Sequence, residues 1–446
     1  MVQDGAEVLV IGAGAAGLAA ARDLAASGLR VRVLEARGRV GGRVHTLREP
    51  ALPVPVELGA EFIHGEPRET WGIVERANLL ACETPGLYWR LRGGVLEDSG
   101  EFWAELEEVF GRLKREGGRD RTFAEFLAEA REGERAREAA RLYVEGFHAA
   151  RSERIGTRGL LKAEEASGRV NGDRQFRVLD GYGRVVERLR DEFEQGGGEV
   201  FLDTAVEEVR WRPGGVELSA RGAGGEGVIH TASRVVVTLP LGLLQKRDGE
   251  GAVRFVPDLP DKRDAANRLE VGHVARVVLR FRERFWETLE LPSVDGKRSL
   301  SKMSFISSPE AAAPTWWTAL PVLAPMIVGW AGGAAADRLA GGGSDSLIER
   351  ALDSLKRVLG VGRAGVDEQL EAAYTHDWLA DPFSRGAYSY LPVGGVEAQE
   401  ALARPVAGTL FFAGEATNTD GHVGTVHGAL ATGMRAALEV LESLRG

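Results

Sequence analysis

Glu7-Val-Leu-Val-Ile-Gly12-Ala-Gly14-Ala-Ala-Gly17 runs from a short β-branched strand through a glycine-rich turn into an Ala/Leu helix, Ala15 to Ser27, closed by Gly28. Val31 to Leu34 reads as a second strand, completing a βαβ unit of about 30 residues. In that context each glycine has its own task. Gly12 permits the tight turn, Gly14 lets the backbone approach a pyrophosphate, and Gly17 allows close packing of helix on strand. The amides of the first helical turn, around Ala16, and the helix dipole favour a diphosphate there. Glu35, ending the second strand, is placed to accept hydrogen bonds from adenosine ribose hydroxyls. Its charge disfavours a 2′-phosphate, so FAD or NAD fits better than NADP.

Outward from this unit, 446 residues allow two or three domains, or two large ones built from separated segments. With 56 basic against 66 acidic residues the net charge is −10, which argues against a sequence-independent nucleic-acid binder needing a dense positive face. The single cysteine, Cys82, cannot form an intramolecular disulfide, as expected of a chain held by packing in a reducing cytoplasm. Val8 to Ile11 leads into a turn rather than a cleavage site, so no signal peptide is expected. Ala311 to Ala336 carries no charge, but Pro314, Pro321, Pro325 and the pair Gly332, Gly333 would break a spanning helix. Buried strands and turns are expected there, and no membrane span.

Helical spacing over Glu101 to Glu116 and Phe123 to Phe147 predicts a helical insertion. The turn Asp180-Gly-Tyr-Gly183 opens a helix to about Glu194, and alternating strands follow over Phe201 to Trp211 and Gly215 to Ala220. Arg234 to Pro240 reads as a fully buried strand. Val274 to Phe281 and Met326 to Trp330 read as strands, Ser346 to Leu359 as a helix. The chain ends in a strand (Thr409 to Ala413), a glycine-rich turn and a helix (Gly428 to Leu444). No repeat or linker is visible, so the domains interleave.

Glu35-Ala36-Arg37-Gly-Arg-Val-Gly-Gly42-Arg43 supplies arginines and paired glycines for a second face of the diphosphate, and here the sequence resembles the flavin-dependent amine oxidase family. The likeness extends to Glu57-Leu-Gly-Ala-Glu-Phe-Ile-His-Gly65, Thr238-Leu-Pro-Leu-Gly242, Val277 to Trp286, Trp378 to Tyr390, Phe412-Ala-Gly-Glu-Ala416 and Thr425-Val-His-Gly-Ala429. It is nearest to the polyamine oxidases and flavin-type histone demethylases. The resemblance implies an α/β chain: a Rossmann-like FAD domain of discontinuous segments (1–66, 180–262, 385–446) and an α+β substrate domain (67–179, 263–384) with a mixed sheet and the helical insertion.

By the same resemblance FAD is contacted by Gly12, Gly14, Ala16, Gly17, Glu35, Ala36, Arg37, Gly42, Arg43, Gly59, Ala60, Glu61, Val206, Gly414 and Glu415, with Thr425 and Val426 at the flavin's pyrimidine end. A helix N-terminus there would stabilise negative charge on the reduced ring. Ser389 is matched to the flavin-linking cysteine of monoamine oxidases, so FAD is expected to be noncovalent. Tyr390 is expected to form one aromatic wall of the substrate cage. Thr425 replaces the second tyrosine, leaving the cage half open, and Trp378 packs near the flavin. His64 is matched to a histidine near the substrate nitrogen, and Glu61 pairs either a substrate cation or an arginine. Arg276 stands where the family usually has a lysine implicated in oxygen reactivity. Arginine keeps the charge but cannot release its proton.

The expected function is FAD-dependent amine oxidation, with hydride passing from the carbon beside a neutral amine to flavin and dioxygen as acceptor. A polyamine-like small molecule is the favoured substrate. The alternatives are a dehydrogenase or desaturase with another acceptor, and a noncatalytic FAD-containing binding module. No metal is expected.

Overall fold

The computed structural model describes residues 2–3, 6–129 and 131–445. Strands from distant parts of the chain form one parallel sheet, ordered Glu199–Phe201, Val31–Leu34, Val8–Ile11, Arg234–Val237, Leu410–Phe412. The fold class is the expected one, α/β with a Rossmann-like sheet. Side chains alternate across it with period two. Val8, Val10, Val33, Val236 and Phe411 pack on the helices Ala15–Ala26, Gly183–Gln195 and Val426–Arg445. Leu9, Ile11, Val235, Val237, Leu410 and Phe412 pack on an antiparallel meander that includes Ala205–Arg212 and Gly215–Arg221. Covering both faces is why Val8–Ile11 and Leu410–Phe412 are apolar throughout and buried at every position. The first and last helices touch closely, because a Cβ at Gly433 would lie 2.2 Å from the Ala16 carbonyl oxygen.

The expected strand Phe201 to Trp211 is two strands. Phe201 ends a strand of the parallel sheet and Ala205 begins the meander, with Asp203 at φ 49° in the corner. The expected helix Phe123 to Phe147 is also two, Phe123–Ala128 and Glu134–Phe147. Thr122 and Glu125 form a capping box at the start of the first. With Ser99–Glu116 and Thr157–Arg169 they enclose a separate apolar core.

A nine-stranded mixed sheet forms the other large body, with Val274–Phe281 between Met326–Gly332 and Leu370–Thr375. The uncharged stretch supplies its strands Thr315–Thr318 and Met326–Gly332. Among the described residues no helix is long and apolar enough to cross a membrane. Gly343–Leu359 covers one face of this sheet. The opposite face packs Val278, Trp317 and Val328 against Leu52 to Leu58, near the small sheet of Phe62–His64, Gln175–Val178 and Ala81–Glu83. A cavity opens between the two bodies.

Candidate functional site

The glycine turn behaves as its spacing implies. Gly12 has φ +102°, and a Cβ there would lie 2.8 Å from Thr238 Oγ1. A Cβ on Gly17 would lie 1.9 Å from the Gly12 carbonyl oxygen, so that glycine serves packing and stays outside the cavity wall. Gly14 has nothing within 4 Å of where its Cβ would stand, and it lines the cavity with Gly12 and Ala16. The space it keeps open suits a diphosphate at the helix N-terminus.

Glu35 is buried, and its carboxylate accepts the Ala13 N–H at 2.8 Å and the Arg37 N–H at 2.9 Å. Burial raises its pKa against those two bonds. Each oxygen keeps a lone pair for a ribose hydroxyl. Ala36, Arg37 and Val206 line the same end of the cavity. Arg37 reaches across to Asp381 at 2.5 Å and Ser384 at 2.9 Å. Arg43 donates to the Ala387 carbonyl at 2.6 Å and to Glu415 at 2.9 Å, and Glu415 accepts in turn from Ser389 Oγ at 2.6 Å and Gly424 N–H at 3.0 Å. Glu415 thus stitches three chain segments beside Gly42 and Gly414, which line the cavity with it. Gly59 meets the Arg43 carbonyl oxygen so closely that its Cβ would stand 1.8 Å away, and Ala60 N–H donates to that oxygen at 3.2 Å.

Thr425 caps the last helix: its hydroxyl accepts the Gly428 N–H at 2.9 Å and donates to the His422 carbonyl at 2.7 Å. Both Thr425 and Val426 line the cavity. Trp378 is buried, donates to the Leu58 carbonyl at 2.9 Å, and presents its ring to Gly59. Cys82 is not part of the wall, so no thiol stands ready to link a flavin.

The cavity, of about 560 Å³, continues from this dinucleotide end to an aromatic end walled by Phe62, Tyr88, Phe147, Trp317, Trp330 and Tyr388. His64 lines that end, between Phe62 and Phe147. Burial pushes its pKa down to about 4, and its Nδ1 has no partner among the described residues. His427, pushed down to about 3 by burial, lies 3.0 Å from His422. Neutral imidazoles therefore face this space at pH 7.

Tyr390 does not form the expected aromatic wall of a substrate cage. Its ring sits in the helical insertion's core with Phe123, Phe126 and Leu160, not in the cavity wall. Immediately after Ser389 the chain leaves the cavity and ties to the insertion, through Gly156 N–H to the Leu391 carbonyl at 2.9 Å and a bridge between Ile155 and Pro392. Tyr388, two residues earlier, lines the cavity and donates to the Phe147 carbonyl at 2.8 Å. Nothing in the spacing of Ala387-Tyr-Ser-Tyr390 separates the two rings.

Arg276 lines the cavity and is 4% exposed, its guanidinium 5.4 Å from the Trp317 ring centroid. It donates to Glu61, whose other oxygen lies 2.6 Å from Arg177 Nη2; Trp317 Nε1 donates to Glu61 at 3.2 Å. Burial alone would raise the Glu61 pKa, but Arg177 and Arg276 hold it below the ordinary carboxylate value. Glu61 is an arginine partner, and Arg177, which sequence reasoning did not single out, is its second ligand. The signal for Arg177 is faint: a charged residue on the inward side of the strand Gln175–Val178.

A profile of the family described as flavin containing amine oxidoreductase matches residues 15–441. The chain belongs to that family. Its dinucleotide cofactor is therefore FAD, and the open cradle at Gly14, the Glu35 carboxylate and the capped helix at Thr425 fit one. The chain is 30% identical to a lysine-specific histone demethylase 1 homolog 3 of Arabidopsis thaliana, over 100% of this chain and 30% of that protein. It is 29% identical to polyamine oxidase 3 of Oryza sativa subsp. japonica, over 98% of this chain and 90% of that one. The chain spans 30% to 58% of the length of the first demethylase homologues it matches. Wild-type putrescine oxidase bound to putrescine shares the fold at 20% identity, with TM-score 0.80 over 99% of this chain and 100% of that one.

Proposed function

We propose that this protein is an FAD-dependent amine oxidase acting on a small amine, with diamines and polyamines favoured. The observation that carries the reading is the single cavity joining the Gly12, Gly14 and Glu35 cradle to an aromatic end holding His64. The polyamine and putrescine oxidases among its relatives support the substrate class. FAD, when bound, supplies the hydride acceptor. The residues contacting it are those at the cradle, Arg43, Gly59, Ala60, Gly414, Glu415, Thr425 and Val426.

Around the substrate this chain does three things. Phe62, Tyr388 and the neighbouring rings exclude water and present π faces to an amine. His64, neutral at pH 7, hydrogen-bonds a neutral amine nitrogen, whereas a protonated histidine would repel the ammonium form of the substrate and could hand its proton to the free amine. The N-terminus of Val426–Arg445, organised by Thr425, stabilises negative charge at its end of the cavity. The overall reaction takes an amine, dioxygen and water to an aldehyde, the released amine or ammonia, and hydrogen peroxide.

Arg276 favours a second reading on one point, the acceptor. Its guanidinium is held by Glu61 and cannot act as a proton-exchanging ammonium, so an acceptor other than oxygen is the alternative. Anaerobic mixing of the holoenzyme with polyamines, monoamines and amino acids tests both readings. Bleaching of the flavin absorbance by diamines or polyamines is expected. Recovery on admitting air supports the oxidase, and recovery only with an artificial acceptor supports the dehydrogenase. Bound FAD that no amine bleaches overturns the proposal.

A further inference from the structure

Glu61 joins two arginines in a wholly buried cluster: its side chain is 3% exposed, that of Arg276 4% and that of Arg177 6%. Two cations share one carboxylate, so these three side chains carry one surplus positive charge. The buried Glu57 carboxyl, which feels both Glu61 and Arg276, is held largely protonated by burial below about pH 7 and offsets that charge only above it. Only Glu61 and Arg276 line the cavity; Arg177 stands one layer behind, over the Phe62 ring at 5.2 Å. Its Nε, Nη1 and Nη2 are all buried without hydrogen-bond partners among the described residues, so the 2.6 Å approach of Nη2 to Glu61 is an ion pair rather than a directed hydrogen bond. Leaving guanidinium nitrogens dry and unbonded is costly. An arginine needed merely to neutralise Glu61 is redundant, because Arg276 already does so.

We propose that Arg177 is a positioning residue that acts through Glu61: it holds that carboxylate against Arg276 and supplies the surplus charge that favours an anionic reduced flavin. This rests on the reading of the cavity as an FAD and amine site. The charge works through low-dielectric packing, where screening by salt is weak. Placed behind the wall, Arg177 tunes the site without occupying substrate space.

The test is the flavin midpoint potential of the holoenzyme, measured by dye equilibration beside flavin content and thermal stability. Arg177→Met removes the surplus charge while Arg276 still neutralises Glu61. It is expected to make two-electron reduction about tenfold less favourable, a fall of about 30 mV. Arg177→Lys restores the charge and the wild-type value, whereas Glu61→Gln, which removes the cluster's only anion, moves the potential upward. A merely structural arginine would lower the melting temperature in Arg177→Met and leave the potential unchanged; that result overturns the proposal. Should Arg177→Met fail to fold, an unchanged potential in Glu61→Gln does the same. A wild-type protein that binds no flavin instead defeats the reading of the cavity and is recognised at the outset.

Discussion

Glu61 and Arg276, 215 residues apart in the chain, form an ion pair inside the cavity wall with Trp317 bonded to the carboxylate and facing the guanidinium. This pairing fixes the cation by partners that a lysine, shorter and without a planar fork, would meet differently. Arg276→Lys is expected to quicken reoxidation of the reduced enzyme by oxygen by about tenfold, while amine binding stays close to wild type. Stopped-flow mixing of prereduced protein with oxygenated buffer measures it. An unchanged rate would remove Arg276 from any role in acceptor choice.

The two tyrosines of Ala387-Tyr-Ser-Tyr390 are expected to separate cleanly by substitution. Tyr388→Ala opens the cavity wall, so it should impair amine oxidation, mainly through a raised KM, while FAD stays bound. Tyr390→Ala instead leaves a hole among Phe123, Phe126 and Leu160, at a cost of about 3–5 kcal/mol. Thermal melts and steady-state kinetics on both variants check the assignment. It fails if Tyr390→Ala melts normally but loses turnover.

The glycine turn, Glu35 and the flanking strands are legible in sequence because their constraints are local. A turn, a helix start and a strand end fall within 30 residues, and every apolar position of Val8–Ile11 is buried. The aromatic end is not legible in that way. Its walls come from strands, helices and loops spread from Phe62 to Tyr388, and which neighbour of a pair faces inward depends on where the chain next docks. Tyr390 follows the helical insertion through Leu391 and Pro392, a tertiary event with no imprint on local spacing. Arg177 was hidden for the same reason, since a strand arginine declares itself only when its partner Glu61, from a distant segment, lies beside it.

Glu57 gives a pH prediction. Its buried carboxylate accepts the Tyr182 N–H at 2.7 Å and the Thr46 hydroxyl at 2.6 Å, yet burial pushes its pKa up to about 7. The folded protein thus binds this proton more tightly than the unfolded chain. Its contribution is present below the unfolded carboxylate range and is lost as pH rises toward 7, totalling about 3 kcal/mol. The buried histidines act with the opposite sign, so the diagnostic is the difference between proteins. Glu57→Gln should lose less stability than wild type between pH 5 and pH 8 in paired thermal melts, and parallel curves would show that Glu57 does not titrate there.

Gly14 and Gly17 are predicted to fail differently although both belong to one turn. A methyl at Gly17 meets the Gly12 carbonyl oxygen at 1.9 Å, which the backbone can relieve only by moving the helix off the strand. Gly17→Ala should therefore lower the melting temperature or abolish soluble expression. At Gly14 a side chain meets no protein atom within 4 Å and projects into cavity space. Gly14→Val should fold, and lose FAD by filling the diphosphate's place, with affinity down at least about tenfold. Flavin absorbance per protein and a thermal melt separate the two outcomes. Full flavin occupancy in Gly14→Val would mean that the diphosphate does not pass over this residue, and would shift the cofactor's path away from the helix N-terminus.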